Sequence, residues 1–283
     1  FTDVGQAATL ATEYADRLRY SPATDWLVYN GAFWEESAPA AQGIAQELTD
    51  RQLEEAETLI EQARVKLENA GITALMALGT TRAKLLGMLT PAQLVLWREY
   101  EDAEGYRKYA LKRRESRCIT ASLKEARPMM QTTPAELDAN PHLLNTPTAT
   151  YDLREPVAVA RPHAAADLLT KQTSVDPSGD GVDLWGEALG LFFQEDPELI
   201  GYVQRIVGLA AVGKVMVEAL VIAYGDGRNG KSTFWNTVAR VLGTDQHDTQ
   251  VCSPQLACQG GRSRVVAGHI GIGWITHAAM VNF

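Results

Sequence analysis

Apolar residues recur at three- and four-residue spacing in the opening stretch TDVGQAATLATEYADRL. Val4, Ala7, Ala8 and Ala11 share one face there, behind Thr2, a side chain suited to cap a helix start. The period then drops to two. LRYSPATDWLVYNGAFWEE alternates apolar and polar positions around Asn30-Gly31, a dipeptide that tolerates positive φ in a tight hairpin turn, so Trp26, Val28, Phe33 and Trp34 are expected to pack as a small β-element. From Leu48 to Arg127 the helical period returns with few breakers, which predicts an α-helical domain. LLNTPTATYDLREP predicts a short extended pair, and the Pro/Gly/Asp-rich SVDPSGDGVD predicts a connection and the main domain boundary. Two more helices are predicted in LWGEALGLFFQED and PELIGYVQRIVGLAAVG, the second with Pro197 at a favoured first position. Last comes the apolar run VMVEALVIA, which reads as a buried strand, then YGDGRNGKST and the helical FWNTVARVLG.

With 283 residues the chain is long enough to bury one or two sizeable cores. Its net charge of -9 gives no whole-molecule attraction to polyanions, so any contact with nucleic acid has to come from a local basic strip. Three cysteines, Cys118, Cys252 and Cys258, form no secreted-type framework and fit a reducing interior, which makes the cytoplasm the expected location. The C-terminal VVAGHIGIGWITHAAMVNF lacks acidic and basic side chains but is broken by glycines, Asn282 and two histidines, and no membrane span is predicted from it.

Gly225-x-x-x-x-Gly230-Lys231-Ser232 fits the phosphate-loop pattern in full, between a predicted strand and a predicted helix. Glycines let the backbone curl until several N–H groups point inward at a β-phosphate, where a side chain would collide. Lys231 then offers a mobile ammonium to β- and γ-phosphate oxygens, Ser232 a hydroxyl to Mg2+, and Thr233 a contact on the α-phosphate side. The positive end of the helix starting near Lys231 adds roughly half a unit charge. ATP and Mg2+ are the ligands expected.

Asn229 sharpens the reading, because GDGRNGKSTF resembles the Walker A segment of superfamily 3 helicases, in particular the phage and plasmid primase-helicase family, which is similar also to poxvirus primase-NTPases. TDVGQAATLATEYADRLRY, WLVYNGAFW, LLNTPTATYDL with RPHAAADLLTKQTSVD, and YVQRIVG are similar, in order and spacing, to that family's N-terminal helical domain and the lead into its ATPase. The fold class expected is therefore α/β: an α-rich accessory domain over residues 1–180, then the start of an AAA+-like P-loop ATPase over 181–283. The resemblance implies a replicative ATPase, encoded by a phage or mobile element in a bacterial host. It would assemble as a homo-oligomeric, hexameric ring on single-stranded or forked DNA and unwind it with ATP. Lys231 and Ser232 carry over as nucleotide and Mg2+ ligands, with Gly225, Gly227, Asn229 and Gly230 shaping the loop.

The sequence departs from that family downstream. Hydrolysis needs a strand-end carboxylate to hold Mg2+ and polarise water. The candidate strand RSRVVAGHIGIGWI carries none, and the last acidic residue is Asp248. A C-terminally truncated copy, shifted out of frame near 249–260, is the expectation that follows. Two other readings stay open: a P-loop kinase or other nucleotide-handling protein, and a catalytically silent module that binds DNA or a partner or supports oligomers.

Smaller signals change little. Arg107, Lys108, Lys112, Arg113, Arg114 and Arg117 cluster on a predicted helix and would suit phosphates, but the acidic REYEDAEG nearby favours a solvated face. Cys252, Cys258, His269 and His277 do not have the spacing of a structural zinc site. His163 is read as structural, and Trp26, Trp34, Trp185 and Phe192 as packing residues in preference to base-stacking ones.

Overall fold

The computed structural model describes residues 2–77, 79, 81–154, 159–213, 221, 223–224 and 229–243. The chain divides into two compact units, residues 1–28 with 36–132, and residues 29–35 with 133–283.

The first unit is helical. Helix α1 (Asp3–Glu13) starts where Thr2 accepts the Gly5 N–H at 3.0 Å. Strands β1 (Leu18–Ser21) and β2 (Asp25–Tyr29) pair antiparallel, Leu18 opposite Val28 and Ser21 opposite Asp25. The alternation did not mark this turn, which puts Asp25 at φ 69°. Helix α2 (Ala38–Asn69) begins ten residues ahead of the predicted helical stretch, because Ser37 caps it through the Ala40 N–H and a proline sits in its first turn. Its buried positions, Ile44, Leu48, Gln52, Ala56, Ile60, Ala63 and Leu67, step by three or four and form one continuous stripe. Gly71, at φ 70°, lets the chain turn into the short α3 (Ile72–Met76), and α4 (Arg82–Met88) follows. Helix α5 (Pro91–Arg113) opens with a Thr90/Gln93 capping box and lies along α2. Helix α6 (Ser116–Ala126) returns to α1.

Two apolar clusters hold this unit. One gathers Leu10, Leu18, Trp26, Ile44, Leu48, Ile119 and Met130 where α1, β1, β2, α2 and α6 meet; the other packs Leu67, Ile72, Leu85, Leu89 and Trp97 at the far end of α2. Between α1 and α2 sits a buried amide pair. Gln6 donates to Gln52 at 2.8 Å, Gln52 donates back at 3.2 Å, and the Tyr109 hydroxyl donates to Gln6 at 2.8 Å. The exchange satisfies groups that would otherwise be costly to desolvate.

The second unit takes in the seven residues 29–35. Asn30 and Gly31 do form a turn, but a wider one than a two-residue hairpin. The Asn30 side chain accepts the N–H groups of Ala32 and Phe33, each at 3.0 Å, and Gly31 has φ 104°. Trp34, at the start of β3 (Trp34–Glu36), is 2 % exposed; its indole N–H donates to the Ala165 carbonyl at 2.8 Å and its backbone N–H to Leu169. The predicted extended pair is β4 (Leu143–Asn145) and β5 (Thr150–Asp152), antiparallel, with β6 (Val159–Arg161) added on the far side of β5. Asn145 ties this sheet to its surroundings by donating to the carbonyls of Ala32 and Lys171.

Helices α7 (Val182–Phe193), α8 (Pro197–Leu209) and α9 (Lys231–Leu242) lie where the pattern predicts them. Asp196 caps α8 by accepting from Glu198 and Leu199, with Pro197 next in line. The three helices close on Leu189, Phe234 and Val238. The apolar run VMVEALVIA falls largely outside the described residues, as does all of RSRVVAGHIGIGWI. Among the described residues no helix is long and apolar enough to cross a membrane.

Candidate functional site

The chemistry expected from the sequence is concentrated at the start of α9. Gly225 and Gly227 lie outside the described residues, whereas Asn229, Gly230, Lys231, Ser232 and Thr233 lie within them and adjoin one another. Helix α9 forms because Phe234 and Val238 present one apolar face to α7 while Ser232, Thr233 and Asn236 remain exposed on the other. It ends at Gly243, φ 81°, whose Cα lies so close to the Gln172 carbonyl that no side chain fits. Ser174 fastens the same end by donating to the Val241 carbonyl at 3.0 Å.

The other end is defined by Gly230, in the left-handed region at φ 80°. The Phe234 N–H donates to its carbonyl at 2.9 Å, closing the first turn. The N–H groups of Lys231, Ser232 and Thr233 precede any intrahelical acceptor, and Gly230 has no side chain to cap them. Three N–H donors, the positive end of a twelve-residue helix and a lysine are thus grouped at one point. The Lys231 ammonium donates to the Asn229 side-chain carbonyl at 2.6 Å, across Gly230. Nothing in the sequence pattern signalled that bond.

This half-loop suits a phosphate, since it gathers the N–H groups of residues 231–233 and the Lys231 ammonium beside Gly230. Ser232 and Thr233 are exposed and add hydroxyls. For Mg2+ the Ser232 hydroxyl is an appropriate ligand type, a hard oxygen for an ion that keeps phosphate and water in its shell. Among the described residues no group of three or more His, Cys, Asp or Glu side chains is placed to hold a metal ion. Cys252, Cys258, His269 and His277 fall outside them, and Cys118 is a buried free thiol in α6.

The basic strip on α5 and α6 is largely committed to carboxylates. Arg113 pairs with Asp3, Arg114 with Asp50 at 2.5 Å, Arg117 with Glu115 at 2.8 Å, and Arg107 approaches Glu57 at 4.0 Å. Lys108 and Lys112 are exposed. On the same seam Tyr106 donates to Glu55 at 2.9 Å, and burial, reinforced by that carboxylate, pushes its hydroxyl up to about 12. The strip is thus partly engaged by carboxylates of α1, of α2 and of the turn before α6, and not by those of the REYEDAEG stretch.

His163 meets the Thr150 hydroxyl at 3.2 Å and the Pro147 carbonyl at 3.4 Å, beside β5, a structural setting. The nearby Asp176 carboxylate accepts from the Thr146 hydroxyl at 2.6 Å, the Thr148 hydroxyl at 2.8 Å and the Thr148 N–H at 3.0 Å. These bonds, that of Thr146 foremost, lower its pKa. Trp26 and Trp34 are buried, and Trp185 and Phe192 pack around Phe234, so all four are packing residues.

Residues 7–206 match the sequence model of the family described as D5 N terminal like. The span takes in all or most of the segments that resemble primase-helicases upstream of the loop, and bears out an N-terminal region of that kind. It stops ahead of Gly225. None of the curated proteins matches the chain.

Proposed function

Because the chain belongs to the D5 N terminal like family, we propose that it is an ATP-binding helicase/primase component of phage or plasmid DNA replication. The observation that carries this reading is the uncapped start of α9, where left-handed Gly230 leads into Lys231, Ser232 and Thr233. The spacing Gly225-x-x-x-x-Gly230-Lys231-Ser232 supports it. In this reading the ATPase portion begins at residue 181. Gly225, Gly227, Asn229 and Gly230 shape the loop. The N–H groups of residues 231–233 hold the phosphates, and Lys231 neutralises the β- and γ-phosphate oxygens. Ser232 holds Mg2+, and Thr233 contacts the α-phosphate side. Mg2+ held at Ser232 would supply neutralisation of the charge on the phosphate groups. The partners proposed are single-stranded or forked DNA and further copies of the chain in a ring, and the setting is the cytoplasm of a bacterial host.

A second reading is favoured by one observation, that no Asp or Glu occurs between residues 249 and 283. In it the loop binds Mg-ATP but the chain does not turn it over, acting as a binding or oligomerisation module. One experiment separates the two. Mg2+-dependent ATP binding and turnover are measured with and without single-stranded DNA, beside Lys231→Ala. Turnover lost in the variant supports the motor; binding without turnover supports the module. Binding unchanged by Lys231→Ala, or absent from the unaltered chain, overturns both.

A further inference from the structure

We propose that Phe192, near the end of α7, is a positioning residue for the phosphate-binding loop: its ring fills the space beside Gly230 and fixes the point at which α9 begins. The inference rests on the nucleotide-binding reading above.

A Cβ added at Gly230 would collide with the Phe192 ring, whose Cγ would lie 3.0 Å away and whose edge carbons would lie nearer still. Gly230 also has φ 80°, so two independent constraints exclude a side chain there. The loop needs its glycine for backbone curvature, and the fold needs it so that an aromatic ring can rest against the backbone. The adjacent Phe193 meets Phe234 edge-on at 5.6 Å, and Trp185 stacks on Phe234 at 5.8 Å. Helix α7 therefore holds the first turn of α9 twice, through the Phe234 ring and through the backbone of Gly230.

The grip is itself held. Helix α7 stops immediately after Phe193, where Gln194 and Glu195 both adopt positive φ, 56° and 60°. Both of their N–H groups donate to the Gly190 carbonyl. This closure sets the last turn of α7, and with it the direction of Phe192, without help from the loop. Phosphate affinity depends on donors aimed at fixed points, and displacements of about 1 Å are costly. Removing the ring frees Gly230, and with it the Asn229–Lys231 contact that spans it.

The test compares Phe192→Leu and Phe192→Ala with Leu189→Ala, which empties the same core one turn earlier on α7, and with Lys231→Ala. The readouts are the Kd for Mg-ATP and the thermal midpoint. The expected result is that both Phe192 variants weaken Mg-ATP binding by about tenfold or more. Leu189→Ala should lower the midpoint at least as far as Phe192→Leu yet keep affinity within about twofold. Unchanged affinity in Phe192→Leu, with Lys231→Ala still abolishing binding, overturns the positioning role and leaves the loop reading intact. So does an equal loss of affinity in Leu189→Ala, which would mark general loosening of the core. No effect of Lys231→Ala overturns the loop reading and this proposal together.

Discussion

Gln194 shows how much a single backbone conformation can weigh. An L-residue in the left-handed region costs roughly 1 kcal/mol or more relative to glycine, and Gln194 is exposed there at φ 56°. Gln194→Gly is expected to stabilise the second unit by about 0.5–1 kcal/mol, read as a higher urea midpoint at unchanged slope. Gly230→Ala should act in the opposite direction and more strongly, since it meets both a positive φ and the Phe192 ring. Asp176 supplies a pH dependence. Its pKa is lowered in the folded state, chiefly by the Thr146 hydroxyl. Its contribution is therefore complete above the ordinary aspartate value and is lost as pH falls through the lowered one. Asp176→Asn should lower stability at neutral pH and flatten the decline below about pH 4, which urea midpoints measured across that range would reveal.

Between elements, the amide pair joining α1 to α2 makes the sharpest prediction. Gln52→Ala leaves the buried Gln6 amide short of partners and is expected to cost about 1–3 kcal/mol. Replacing both residues with leucine or methionine removes the need for partners and should be much less costly, so a double-mutant cycle should show strong coupling. Elements were legible in the sequence where a local device announces them. Thr2 and Pro197 start their helices as expected, Asn30-Gly31 makes a turn, and TPTA separates two strands. What local pattern could not convey is pairing over distance. Tyr20 exchanges backbone bonds with Met130 and Thr132, and Trp34 reaches Ala165; neither partner carries a mark that names the other. The candidate site divides in the same way. The order Asn229 to Thr233 on a helix start could be read directly, because phosphate chemistry restricts residue types at fixed spacing. The ring behind Gly230 could not, because it belongs to a helix that ends some forty residues earlier.

Across the whole molecule, the path of the chain matters more than its composition. The chain leaves the first unit after residue 28, gives seven residues to the second, and returns at residue 36 for the next stretch of helices. A fragment beginning at residue 133 would therefore lack Trp34, which fills a buried place in that unit, and would leave the Ala165 and Leu169 carbonyls without their donors. Such a fragment is expected to unfold with low cooperativity in circular dichroism melts.

That path also has a meaning in time. Trp34 precedes Ala165 by 131 residues, and at translation rates of about 5–20 residues per second the carbonyl that receives its indole is made roughly 7 to 26 s later. During that interval a large indole and an unsatisfied strand wait while the helical unit is being completed. The last partner to be synthesised, not the first core to collapse, sets the earliest moment at which the nascent chain can bury its own β3.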